Sequence, residues 1–117
     1  MWLEQGLVDY MTPQLYWAID PPAQFYPVLL NWWLQQSAKG RHVYPGNAAY
    51  RMAQASNPWS PNELVRQINL TRSMRDRLAL GNVFFSTKQI MQNVKNIQQE
   101  LGKLYKQKAK IPVMNWL

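Results

Sequence analysis

Polar and apolar residues first alternate with a period of two. In "LVDYMTPQLYW" (residues 7–17), Tyr10, Thr12, Gln14 and Tyr16 fall on one face; Asp9, Met11, Pro13, Leu15 and Trp17 fall on the other. This pattern predicts a strand, bounded by Gly6 before it and by Asp20-Pro21-Pro22 after it. Pro13 cannot donate a ladder hydrogen bond, so an edge position or a bulge is expected there. The period then lengthens. In "YPVLLNWWLQQSAKG", Val28, Leu29, Trp32, Trp33 and Leu34 form a broad apolar stripe. Pro27 suits a first helical turn and Lys39-Gly40 is a stop signal, which predicts a helix from Pro27 to Ala38.

The alternation repeats twice. His42 to Tyr44 reads as a second strand, followed by a loop from Pro45 to Tyr50. "ASNPWS" is turn-rich. The next helix opens with Ser60 as N-cap, Pro61 in the first turn and Glu63 three residues on, the signature of a capping box. Leu64, Ile68 and Leu70 supply its buried side. Asn82 to Phe85 reads as a third strand. "STKQIMQNVKNIQQELGKLYKQK" then reads as one amphipathic helix, with Ile90, Met91, Val94, Ile97, Leu101 and Leu104 at helical spacing. "IPVMNWL" is an extended apolar tail that needs somewhere to dock. Strands alternating with helices of this length predict an α/β fold with a parallel sheet and right-handed crossovers. A parallel sheet is normally covered on both faces, and three strands with three helices make a thin domain for that. The chain reads as part of something larger.

Composition narrows the chemistry. The 117 residues suit one domain, and 47% are hydrophobic. With 6 Trp, 6 Tyr and 3 Phe, the chain is rich in rings that serve cores but also stack on sugars and bases. Cysteine is absent, which excludes disulfides, thiol catalysis and cysteine–zinc sites. His42 is the only histidine, so a multi-histidine metal centre is excluded, and no cofactor is expected. No apolar run is long enough for a transmembrane segment, and "MWLEQGLVDY" lacks the basic run and apolar core of a signal peptide. "NLT" at Asn69 matches a glycosylation pattern but falls in a helix.

Charge is uneven. The net charge is +7, yet residues 1–38 hold Glu4, Asp9 and Asp20 and no base. Residues 39–117 hold all 13 bases and three acids, a net of +10. Such asymmetry fits either an anionic partner or a set of solvated helix faces with a lysine-rich tail.

Four blocks carry a resemblance: "QGLVDYMTPQLYWAIDPPAQFYPVLLNWW", "GRHVYPGNAAYR", "GNVFFSTKQIM" and "IPVMNWL". Together they resemble the C-terminal part of the glycosyl hydrolase-like 10 family, bacterial proteins similar to TIM-barrel glycosidases. The likeness runs through nearly the whole chain, in order and with similar spacing. It implies that the three strands are about the sixth to eighth of a (β/α)8 barrel, which typically needs ~250 residues. The chain would then be a fragment whose partner is the remaining N-terminal part of the barrel. The family further implies a secreted or bacterial cell-envelope setting and a polysaccharide or cell-wall glycan as ligand.

In a barrel, working residues sit at the C-terminal ends of strands and in the loops after them. That rule selects Gln14, Tyr16, Trp17 and Asp20, then Tyr44, Asn47 and Tyr50, then Phe85, Ser86 and Lys88. Aromatic faces stack on pyranose C–H groups, while amides and hydroxyls bond to sugar hydroxyls. The expected roles follow from this. Gln14, Tyr16 and Asn47 position a sugar ring, Trp17 and Tyr50 stack on it, and Ser86 and Lys88 bind peripheral hydroxyls or an acidic group. Each has a plainer alternative: Gln14 and Tyr16 as an internal network, Trp17 as core, Asn47 as a turn residue after Pro-Gly.

Asp20 is the candidate catalytic acid. It reads equally as a cap or Asx-turn residue before proline. Glycoside hydrolysis generally uses two carboxyl groups, and no convincing second one is present. The chain is therefore expected to contribute substrate binding but to lack most catalytic carboxylates. A rival reading makes it a basic module that binds nucleic acid or an anionic surface through Arg66, Arg72, Arg75 and Arg77. A third makes it a non-catalytic piece that completes a barrel supplied by another chain.

Overall fold

Two prolines decide how the sheet is built. The computed structural model describes residues 1–20 and 25–117. Its strands are β1 (Tyr10–Met11), β2 (His42–Val43), β3 (Gly46–Asn47) and β4 (Val83–Phe84). β1 pairs with β2 and β3 with β4, both in parallel. Parallel bridges from Gln14 to Gly46 and from Val43 to Ala79 link the pairs. β2 and β3 are thus one extended stretch, with the β1 segment on one side and the β4 segment on the other. The spatial order is the sequence order.

The stretch over residues 7–17 is a shorter strand than its alternation predicts. The carbonyls of Met11 and Pro13 accept from Tyr44 N (2.9 Å) and Gly46 N (2.8 Å), and Leu15 N donates to Gly46 O (3.1 Å). Pro13 has no N–H to add, so regular pairing lapses there and returns only at Gln14. Pro45 interrupts the central stretch in the same way, accepting from Val83 N at 3.0 Å and donating nothing. In the last stretch, Leu80 N bonds to Val43 O, but the next bond comes from Val83 N to Pro45 O. Three residues advance against two, a bulge at Gly81-Asn82. A Cβ on Gly81 would meet the Tyr44 ring at 3.2 Å, so glycine is what lets the bulge lie flat against that ring.

The helices are α1 (Trp2–Gln5), α2 (Tyr26–Gln35), α3 (Pro61–Ser73), α4 (Thr87–Met91) and α5 (Ile97–Leu104), with 3-10 turns at Ala49–Ala53, Arg75–Arg77 and Val94–Asn96. α1 has no counterpart in the sequence reading. α2 keeps Pro27 in its first turn and ends before Ala38. The Pro21-Pro22 turn lies outside the described residues. The single helix expected from residue 86 onward is broken in two. Asn93 (φ 50), Lys95 (φ 52) and Asn96 (φ 64) are left-handed, which Asn tolerates better than most residues. Asn93 Oδ1 then accepts from Gln98 N at 2.9 Å and starts α5.

α3 has its Ser60 N-cap, but no capping bond from the Ser60 side chain forms. Glu63 is used elsewhere: its Oε1 accepts from Ile19 N (2.7 Å) and Gln67 Nε2 (2.9 Å). The carboxylate satisfies a loop N–H that has no strand partner, so it ties the chain after β1 to α3.

The core lies on one side of the sheet. Leu15 and Val43 pack with Leu3, Tyr26, Leu30, Leu34 and Ala79. A second cluster joins Ala49 and Met52 to Leu64 and Ile97, with Phe84 against it. Burying each such side chain is worth about 1.5–3 kcal/mol. The other side of the sheet is open: Tyr10 is 51% exposed, Val83 46% and Phe85 57%. The apolar tail docks at the N-terminal end of the strands. Trp116 Nε1 donates to Asp9 Oδ1 (2.9 Å), its ring meets His42 edge to face at 4.8 Å, and the Arg41 guanidinium lies 4.5 Å over it. The result is a small mixed α/β domain with short parallel strand pairs.

Candidate functional site

Parallel strands bring their C-terminal ends to one rim, and three rings from three segments meet there. Tyr16 follows β1, Tyr50 sits in the 3-10 turn after β3, and Phe85 follows β4. Their centroids are 5.8 Å (Tyr16–Tyr50), 6.0 Å (Tyr16–Phe85) and 6.1 Å (Tyr50–Phe85). Tyr50 N donates to Phe85 O at 3.0 Å and locks two of the segments together. Gly46 lies under the trio: a Cβ there would meet Pro13 O at 3.1 Å and the Tyr16 ring at 3.4 Å. Burial, with Tyr50 alongside, pushes the Tyr16 hydroxyl above the usual phenol range. It stays a neutral donor and acceptor at any physiological pH.

The face continues inward from the rim. Gln14 is exposed beside Gly46, and further down Tyr10 and Tyr44 pair edge to face at 5.6 Å. The period-two pattern of residues 7–17 therefore sorts correctly. Met11, Pro13 and Leu15 turn to the helices, while Tyr10, Thr12 and Gln14 stay on the open face.

Asn47 does not join them. It is fully buried on the helix side. Its Nδ2 donates to Gln67 Oε1 (2.8 Å) and Tyr26 Oη (3.3 Å), and its Oδ1 accepts from Asn82 Nδ2 (2.8 Å). Thr71 Oγ1 closes the network against Tyr26 Oη at 2.8 Å. The expected sugar contact is corrected by register: Asn47 lies one residue beyond Gly46, and one residue reverses the face. Trp17 is likewise on the far side of the alternation from Tyr16. It pairs with no ring among the described residues, and its carbonyl accepts from Gln67 Nε2 at 3.1 Å.

Asp20 also departs from both of its readings. The N-cap of α2 is Phe25. Asp20 instead holds Arg66 through two bonds, of 2.8 and 3.1 Å. The Arg66 hydrogen bond keeps its carboxyl below the usual range, so it carries no proton to give. Glu63 reaches the same guanidinium at 3.7 Å, so the pair of acids is bound to a cation rather than to each other.

Ser86 and Lys88 follow Phe85 directly, across a cis Phe85–Ser86 peptide. Ser86 is the N-cap of α4, with its N and Oγ 3.4 and 3.0 Å from Gln89 Oε1. Lys88 is exposed in the first turn of α4. Arg51, which the sequence did not single out, stands beside the rim with its guanidinium 5.9 Å from the Tyr50 ring and 5.3 Å from Trp59. Its position next to Tyr50 was the available signal.

The arginines do not form one face. Arg66 is bound to Asp20, Arg72 donates to Leu104 O (2.9 Å), and Arg77 donates to Asn31 Oδ1 (2.6 Å). Among the described residues no helix is long and apolar enough to cross a membrane.

An aromatic rim over parallel strand ends is the kind of surface found where proteins hold sugars, and the chain is similar in sequence to glycosyl hydrolases. Glycosyl hydrolase YngK of Bacillus subtilis (strain 168) is 40% identical over 121 residues, which cover 99% of this chain and 23% of that protein. Glycosyl hydrolase DigH of Escherichia coli (strain K12) is 30% identical over 112 residues, covering 86% of this chain and 26% of that protein. The same protein from strain CFT073 matches to the same extent. The chain thus spans about a quarter of the length of the curated relatives it matches. No protein-family model matches it.

Proposed function

We propose that this chain is the C-terminal portion, about strands six to eight, of a (β/α)8 barrel of the glycosyl hydrolase-like 10 type. In this reading it supplies one wall of a site for a bacterial polysaccharide or cell-wall glycan in the envelope or outside the cell. The observation that carries the reading is the trio Tyr16, Tyr50 and Phe85, converging from three segments onto one rim. Tyr16, Tyr50 and Phe85 offer ring faces to a pyranose, and Gln14 offers an amide to its hydroxyls. Ser86 and Lys88 stand where a second ring or an acidic substituent would lie. The open side of the sheet is the barrel interior, closed by the rest of the protein.

The chemistry itself belongs to carboxylates outside this chain. Asp20 is ionised on Arg66 and lacks the free partner that either hydrolytic mechanism requires. The chain alone binds glycan and does not turn it over.

Glycan-array binding of the chain tests this. Selective retention of a polysaccharide is expected, and Tyr16→Ala should weaken it by about tenfold, the loss of one stacked ring. Tyr16→Phe should retain most of it. An array on which folded chain retains no glycan, or a Tyr16→Ala chain that binds unchanged, overturns the proposal.

A further inference from the structure

A cavity of about 1060 Å³ opens on the helix side of the fold, between the end of α3, the bulged strand and the arm after α5. Its wall carries Arg72, Arg75, Lys103, Lys106, Lys108 and Lys110, and no carboxylate among the described residues lines it. Lys103 is neutralised by Glu100 at 3.0 Å, and Arg72 is held by Leu104 O and by Tyr105, whose ring lies 4.9 Å below its guanidinium. Arg75, Lys106, Lys108 and Lys110 have no acidic partner among the described residues. Four uncompensated cations around one concave space create a positive potential that only an anion relieves.

The spacing narrows the class of anion. Lys106, Lys108 and Lys110 occupy every second position of a segment with neither helix nor strand, and all three line the cavity. Two residues of chain reach at most about 7 Å, so the lysines form a ladder of single charges at short, regular intervals. Such a ladder suits a flexible linear polyanion better than a compact phosphate, for which Arg forks are the usual device. Single-stranded nucleic acid is held by rings on which successive bases stack. The one ring here, Tyr105, is covered by Arg72.

The geometry points to a second binding site, for a linear polyanion carrying a phosphate or carboxylate on each repeat and no base. It is independent of the role proposed for the aromatic rim, being on the opposite side of the sheet.

Binding of the full chain to poly(glycerol phosphate), polygalacturonate, neutral dextran and an oligothymidylate, followed by fluorescence anisotropy, tests the site. One or both acidic polymers should bind and dextran should not; which of the two binds names the anion as phosphate or carboxylate. Affinity should fall steeply between about 50 and about 200 mM salt, and the triple change Lys106→Gln, Lys108→Gln, Lys110→Gln should weaken it about tenfold or more. The triple change Lys39→Gln, Arg77→Gln, Lys95→Gln removes the same charge away from the cavity and should alter binding less than about twofold. The inference fails if neither acidic polymer binds, if the remote triple loses as much as the ladder triple, or if oligothymidylate binds more tightly than both polymers.

Discussion

Asn47 and His42 show how one residue of register separates a site from a scaffold. Asn47 spends its amide on Gln67, Tyr26 and Asn82, so Asn47→Ala leaves buried groups without partners. A loss of about 2–3 kcal/mol in urea unfolding is expected, with the rim left in place. An effect on glycan binding without a loss of stability would return Asn47 to the site. His42 is 3% exposed, and burial holds its pKa below the ordinary 6.5. Its surroundings are Tyr44 Oη, which bonds Nδ1 at 3.1 Å, the Trp116 ring, and Arg41 and Asp9 on that ring. Because the folded pKa lies under the unfolded one, the unfolded chain takes up the proton first. Stability is fully present above pH about 6.5 and is lost as pH falls toward the folded pKa. Melting temperatures from pH 7 downward should show this fall, and His42→Gln should flatten it. Equal slopes in both proteins would place the titration elsewhere.

At the scale of elements, the chain is held by devices at segment ends. Trp116 pins the last residues to Asp9, Arg41 and His42, more than a hundred positions away from the first of them. Trp116→Ala should cost about 2 kcal/mol and free the tail to proteolysis. A variant as stable and as resistant as the parent would mean that the tail is not an anchor. The break between α4 and α5 depends on Asn93 in the left-handed region, where a Cβ without a local hydrogen bond costs about 1–2 kcal/mol. Asn93→Ala is expected to destabilise by that amount in chemical denaturation, and gain of helical ellipticity would instead signal fusion of the two helices. The helical period of residues 87–104 was legible because Ile97, Leu101 and Leu104 do face inward. The break was not, because an Asn every few residues is compatible with an exposed helical face as well as with a left-handed turn. The capping box failed for a related reason: Glu63 had a tertiary donor, Ile19 N, that no local pattern announces.

Across the whole molecule, the open sheet face and its free edges dominate behaviour. β1 and β4 each pair on one side only, and Tyr10, Val83 and Phe85 are about half exposed. Free edges and apolar faces recruit other chains. The isolated chain should therefore associate as its concentration rises, seen as a growing mass in light scattering after gel filtration. A monomer that melts cooperatively at every concentration would show that the open face needs no partner.

Local rules carried the sequence a long way. Period two over residues 7–17, Pro27, Ser60-Pro61 and the apolar stripes placed three strand segments and their helices in order, and parallel pairing followed from the connections between them. Alternation also put Gln14 and Tyr16 on one face, because a strand's side chains must alternate. What alternation cannot say is where a strand is interrupted or which face looks inward. Pro13, Pro45 and the Gly81-Asn82 bulge shift the register by one residue at a time, and each shift exchanges faces. Only the packed structure therefore decides that Asn47 is interior while Tyr50 and Phe85 join Tyr16. It alone shows that Asp20 belongs to Arg66, because an ion pair 46 residues apart in sequence exists only once the chain has closed upon itself.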